Sequence, residues 1–208
     1  MPSSHAIFVC TMRQKPSKQS LFAKLSILYG EMAAAYNDVA SQFELSCTGC
    51  PHNCCTSYFL HHTHIEWAYL WDGLNRCDDE KRKGFVQKAA DYVRRAGPLL
   101  AKGIPPKIMC PLNDDGRCQL YDHRLMICRM HGVPSSFIRP DGQKRSFPGC
   151  KTCQALYTGL STVPVLDRTD FYRRLAELER QWLQDASQPL PRVKLTLAEM
   201  VADGPPET

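Results

Sequence analysis

Leu21, Leu25, Leu28, Met32, Ala35, Val39 and Phe43 recur at steps of three and four, so one apolar stripe runs along a predicted long helix. Ser17 or Ser20 supplies its N-cap. A second helix follows from Thr63-His-Ile-Glu66, a capping box with threonine at the cap and glutamate three residues on. It holds Ile65, Trp67, Ala68, Leu70 and Trp71 and ends near Gly73. Asp78-Asp79 cap a third helix with Phe85, Ala89, Tyr92 and Ala96 on its inner face, and Gly97-Pro98 are expected to stop it. A last long helix opens at Asp167 or Thr169 and carries Phe171, Leu175, Leu178 and Trp182 on one side.

Between these helices the pattern changes. Gly103-Ile-Pro-Pro106 is a rigid connector. Asp115-Gly116 is a tight-turn signal between two short arms, which lets Cys110 and Cys118 face each other. Asp122 is expected to cap a short helix that presents Cys128. Pro140-Asp-Gly142 marks a second hairpin. The fold expected is mainly α: several long helices around a cysteine-rich, loop-dominated metal-binding core with one or two small β-hairpins. Residues 1–16 read as a flexible arm, 17–185 as a single cysteine-cluster domain with its core at 45–153, and 186–208 as a proline-rich tail with a short helical piece near Leu195–Val201.

Of the 208 residues 43% are hydrophobic and 23% charged, ordinary globular values that allow a sizeable core. The net charge of +5 is scattered, at Lys81-Arg-Lys83, Arg94-Arg95 and Arg173-Arg174, as solvated helix faces are. No interleaving of basic and aromatic residues argues for nucleic acid. No apolar run approaches a membrane span, and Ala6-Ile-Phe-Val-Cys10 precedes its basic residues rather than following them, so neither a membrane nor a secretory signal is expected. That predicts a reducing cytoplasm, where clustered cysteines signal metal or redox chemistry rather than disulfides.

The chain has eleven cysteines, ten of them between residues 47 and 153. Cys47-Thr-Gly-Cys50-Pro-His-Asn-Cys54-Cys55 is a loop, because Thr48, Gly49, Pro51 and Asn53 break helix and strand alike. A C-x2-C turn brings two sulfurs together, and thiolates must converge to bind a metal. Cys150-Lys-Thr-Cys153 is a second such turn. With Cys10 and Cys77 set aside as free or structural thiols, nine candidate ligands remain: Cys47, Cys50, Cys54, Cys55, Cys110, Cys118, Cys128, Cys150 and Cys153. They can fill two four-thiolate sites with one to spare, or one site with several structural thiols left over. Adjacent Cys54 and Cys55 serve two sites more easily than one. His61, His62 and His64 lie close enough in sequence to join, though a histidine at a helix start is more often a capping residue. Arg117, Arg129 and Lys151 stand beside thiols, where they either face solvent or offset thiolate charge.

The Cys47/Cys50/Cys54/Cys55 loop, Cys110-Pro111, Gly116-Arg117-Cys118, Tyr121, Arg124 and Cys128-Arg129 together resemble the YkgJ-type cysteine-cluster family, a zinc- or iron-chelating domain known by its CxxCxxCC motif. The resemblance covers about residues 45–132, with Cys150 and Cys153 as a continuation. This chain has one residue more between the second cysteine and the pair, and Arg124-Leu125 where the family has Arg-Pro. The resemblance implies metal binding more firmly than any reaction. Some members are iron–sulfur proteins, and a flagellin lysine methylase is similar in its cysteine motif.

The scatter of Cys110, Cys118 and Cys128 suits an iron–sulfur cluster, and the two C-x2-C turns suit zinc. The cofactor expected is an iron–sulfur cluster of the 4Fe-4S type, with zinc as the alternative. The function expected is electron transfer, redox sensing or support of a partner enzyme, through an unidentified protein or redox partner. A structural zinc domain for protein–protein contact and a cluster-dependent, methylase-like enzyme are the alternatives. No glycine-rich nucleotide loop, GxSxG or HExxH names a reaction.

Overall fold

The computed structural model describes residues 16–47, 50, 54–184 and 188–207, so Cys10 and nearly all of the expected arm lie outside the described residues. The chain is mainly α, as its apolar periodicity predicts. The helices are α1 (Lys18–Ser41), α2 (His64–Asn75), α3 (Asp79–Leu100), α4 (Met126–Met130), α5 (Lys151–Leu156), α6 (Thr169–Leu183) and α7 (Leu197–Ala202). Two small sheets accompany them. β1 (Asn113–Asp114) and β2 (Arg117–Cys118) form one hairpin. β3 (Ser135–Ile138) pairs antiparallel with β4 (Lys144–Phe147) and parallel with β5 (Leu166–Asp167), a third strand that its two residues are too short to announce in sequence.

Two apolar cores flank α2. On one side Ile65 and Tyr69 join the α1 stripe of Leu21, Leu25, Leu28 and Met32 and the α6 residues Leu175, Leu178 and Trp182. On the other, Leu70 and Leu74 join Phe85 and Ala89 of α3, Leu112, Leu120 and Leu125 around the first hairpin, and Met200 and Val201 of α7. The cysteine segments lie where these cores meet the loops.

The polar ends of the helices are satisfied by tertiary partners more than by local ones. Ser17 does cap α1, accepting the Ser20 amide at 3.2 Å. Thr63 stands at the N-cap of α2 but its hydroxyl donates to Glu66 at 2.7 Å instead of accepting from the helix. Glu179 of α6 does the capping, accepting the amides of His64 and Ile65, each at 2.9 Å. Glu66 is buried and also accepts the Tyr29 hydroxyl at 2.8 Å and the Met126 amide at 2.7 Å. That last bond starts α4. Asp122, expected as its cap, lies instead in a short 3-10 turn, Tyr121–His123, separated from α4 by extended Arg124 and Leu125.

Two further expectations change. α3 runs through Gly97-Pro98, because a proline in the last turn removes only one backbone bond. The stop is Gly103, whose left-handed φ of 70° lets the Ile104 amide reach back to the Leu99 carbonyl at 2.9 Å. The segment expected as a tail is docked. Val193, Leu197, Met200 and Val201 are buried, and His61 and Leu195 form an antiparallel bridge. The Trp67 indole donates to the carbonyls of Met200 and Gly204, both at 2.8 Å, and Trp71 donates to Met200 at 2.9 Å.

Candidate metal centre

None of the ten described cysteines is in a disulfide. Four of them, from four separate stretches of chain, form an inner set: Cys55, Cys110, Cys118 and Cys128. Cys110 feels the charge of the other three, Cys128 that of Cys118 and Cys55, and Cys118 that of Cys55. The backbone explains the convergence. The Cys110 amide donates to the Cys55 carbonyl at 2.9 Å, which ties the first loop to the start of the hairpin segment. Asp115 and Gly116, with φ of 48° and 77°, turn that hairpin so that Asn113 pairs with Cys118. Positive φ at both central positions is what makes Asp-Gly the sequence required here. Arg129, next to Cys128, donates to the carbonyls of Arg124 at 2.6 Å, Asp122 at 2.5 Å and Tyr121 at 3.3 Å. It also lies 4.1 Å over the Tyr29 ring. This clamp fixes the path between Cys118 and Cys128.

The electrostatics of the inner set pull in two directions. Burial pushes up the thiols of Cys110 and Cys118, and lifts Cys128 to about 12. Neighbouring thiolates add to the cost of ionising Cys110, Cys118 and Cys128. Arg124 acts the other way, favouring ionised Cys55, Cys118 and Cys128. Its guanidinium stacks 3.7 Å over Tyr121, and its Nε is buried with no hydrogen-bond partner. Cys54 donates a hydrogen bond to Cys55, so Cys55 falls to about 6 while Cys54 is raised.

The remaining candidates form an outer set: Cys47 and Cys50 after α1, Cys150 and Cys153 at the start of α5. The Sγ of Cys50 lies 3.3 Å from the Thr152 hydroxyl, and the Cys153 amide donates to Cys150 Sγ at 3.4 Å. Tyr36 hydrogen-bonds Cys47 and feels both Cys150 and Cys54; burial, then these neighbours, raise its hydroxyl. Cys54 thus sits between the sets. Cys77 belongs to neither: its thiol faces the Gly73 carbonyl at 3.7 Å and packs in the second core.

The three histidines are structural. His61 is buried at the Leu195 bridge, the His62 ring nitrogen Nδ1 lies 3.2 Å from the Val193 carbonyl, and His64 pairs with Glu179 at 2.9 Å. Arg117 and Lys151 are exposed, and Arg129 serves backbone carbonyls. Arg129 also favours ionised Cys118, the charge-offsetting role its place beside Cys128 suggests, and Arg124, four residues before Cys128, does so for Cys55, Cys118 and Cys128. Tyr36 and Thr152 carry no local signal, because each meets its cysteine across more than ten residues of chain.

As placed, no group of three or more His, Cys, Asp or Glu side chains among the described residues forms a metal site. The donor set nevertheless fits a thiolate-ligated, anionic group. Four thiols that repel one another when ionised need a cation at their centre to close, and an arginine with an orphaned buried Nε stands ready for negative charge. Comparison with known protein families, curated proteins and solved structures finds no match to this chain.

Proposed function

We propose that the protein is a cytoplasmic iron–sulfur protein, with Cys55, Cys110, Cys118 and Cys128 as ligands of a 4Fe-4S-type cluster that serves electron transfer, redox sensing or a partner enzyme. The observation that carries this reading is the inner set itself: Cys110 lies within the field of Cys55, Cys118 and Cys128, its amide is bonded to the Cys55 carbonyl, and the unpartnered Nε of Arg124 stands beside them. Ligands scattered over more than 70 residues of sequence suit a cluster, whose larger body accepts a wide spread of donors. The resemblance of residues 45–132 to YkgJ-type proteins points the same way.

When bound, such a cluster supplies one-electron chemistry. The chain's own residues do the rest. Leu112, Leu120 and Leu125 belong to the apolar core against which Cys110, Cys118 and Cys128 pack. Arg124 offsets charge and offers Nε–H to a sulfur, a contact of the kind that raises a reduction potential. Glu66 and Arg129 hold the start and flank of the helix that bears Cys128.

Serine substitution of Cys55, Cys110, Cys118 or Cys128 tests the ligand set. Each variant, purified anaerobically, is expected to lose the brown visible absorption, while Cys77→Ser keeps it. Colour that survives all four substitutions rules the assignment out.

A further inference from the structure

The outer thiols are arranged unlike the inner ones. They come as two C-x2-C turns, one from each end of the cysteine-rich region. The first closes on itself, with the Cys50 amide donating to the Cys47 carbonyl at 3.3 Å. The second caps α5: Cys150 Sγ accepts the Cys153 amide at 3.4 Å, the amide-to-sulfur bond that steadies a thiolate in a metal knuckle. The turns also meet, since Cys50 Sγ touches the hydroxyl of Thr152, which lies between the two cysteines of the other turn. Tyr36 stands against both, bonding Cys47 within reach of Cys150.

The second turn is rigidly seated. The Cys150 amide donates to the Gly132 carbonyl at 2.8 Å. Gly149, at φ 83°, lies so close to Gly132 that a Cβ there would fall 2.5 Å from the Gly132 oxygen. Gly132 is in turn pressed against the Tyr36 hydroxyl. Two glycines are thus spent on bringing this turn against α1. Cys153 is fully buried yet forms no disulfide with Cys150.

We propose that Cys47, Cys50, Cys150 and Cys153 form a second, separate site that takes a single tetrahedral divalent ion of the zinc class, pinning the end of α1 to the start of α5. Two C-x2-C turns that touch through Cys50 and Thr152 offer four thiols in pairs, the donor pattern of a structural zinc site rather than the scattered one of the inner set, and the ion would draw them together. The ion displaces the thiol protons to solvent as it binds. Cys54, bonded to Cys55, stays outside both sites and separates them. The site does not depend on what the inner set holds.

The test is zinc and iron analysis of the full-length protein purified anaerobically, with thiol alkylation mapped by mass spectrometry. Wild-type protein is expected to hold about one zinc per chain. Zinc should protect Cys47, Cys50, Cys150 and Cys153 from alkylation, and a chelator should expose those four together. Cys118→Ser/Cys128→Ser is expected to lose iron and keep zinc, and Cys54→Ser to keep both. Cys150→Ser/Cys153→Ser is expected to lose zinc. Protein without zinc when zinc is supplied, or zinc protection at the inner thiols, overturns the proposal. The alkylation map of wild-type protein decides the matter even where a variant fails to fold. Colourless protein with one zinc at the outer thiols sinks the iron–sulfur reading and leaves the second site standing.

Discussion

Glu66 offers the sharpest test of how the site is held. Its carboxylate is 3% exposed and receives three hydrogen bonds, from Tyr29 at 2.8 Å, Met126 at 2.7 Å and Thr63 at 2.7 Å. It joins α1, α2 and the first amide of α4, whose third residue is Cys128. Glu66→Ala leaves the buried Tyr29 hydroxyl and Met126 amide without partners, each at about 1–3 kcal/mol, and opens a cavity besides. We expect a loss of about 4 kcal/mol, a large part of the roughly 5–15 kcal/mol that holds a domain together. Glu66→Gln keeps a carbonyl oxygen for Tyr29 and Met126 and turns its amide to Thr63, whose hydroxyl can accept. Its cost should be about 1 kcal/mol. Urea unfolding followed by tryptophan fluorescence, at matched metal content, measures both. The Tyr29→Phe change removes one orphaned donor, so in the Glu66→Ala background it should return about 1–2 kcal/mol. Glu66→Ala within about 1 kcal/mol of wild type, at an unchanged denaturant slope, would refute the hub.

Three more outcomes follow from single residues. His61 is buried with Nδ1 unpartnered, and burial lowers its pKa to about 3 from an ordinary 6.5. The unfolded chain therefore takes up the proton first as pH falls, so the contribution is complete above pH 6.5 and is lost between 6.5 and 3. At pH 5 the loss from His61 is about 2 kcal/mol; His123 and His131, also lowered by burial, add to the slope in the same direction, so the fall in stability from pH 7 to pH 5 should be about 2 kcal/mol smaller in His61→Phe than in wild type. Gly149→Ala places a methyl against backbone at a left-handed φ, and should cost about 2–4 kcal/mol and cut zinc retention at the outer thiols, as metal analysis would show. Met200→Ala, in a fully buried α7 position under both indoles, should cost about 2–5 kcal/mol and red-shift tryptophan emission.

What was legible in the sequence was local. The α1 stripe, the Ser17 cap and the Asp115-Gly116 turn depend on residues a few positions apart, and they stand as the pattern predicts. The nine candidate thiols were legible too, as residue type and spacing. Their division into two sets was not, because it rests on contacts such as Cys110 with Cys55 and Cys50 with Thr152, which span 55 and 102 residues. Glu66 read as one half of a capping box; its burial depends on Tyr29 and Met126 arriving from elsewhere. The prolines of residues 186–208 suggested a loose tail, yet Val193, Leu197, Met200 and Val201 carry enough apolar surface to dock this segment on Trp67 and Trp71. No helix among the described residues is long and apolar enough to cross a membrane, in line with the absence of such a run from the sequence.

The most direct measurement is the iron and acid-labile sulfide content and the visible spectrum of one anaerobically purified sample. A brown protein with about four iron and four sulfide per chain is the predicted result. A colourless chain that folds and holds neither iron nor sulfide, after iron and sulfide have been supplied, contradicts the account.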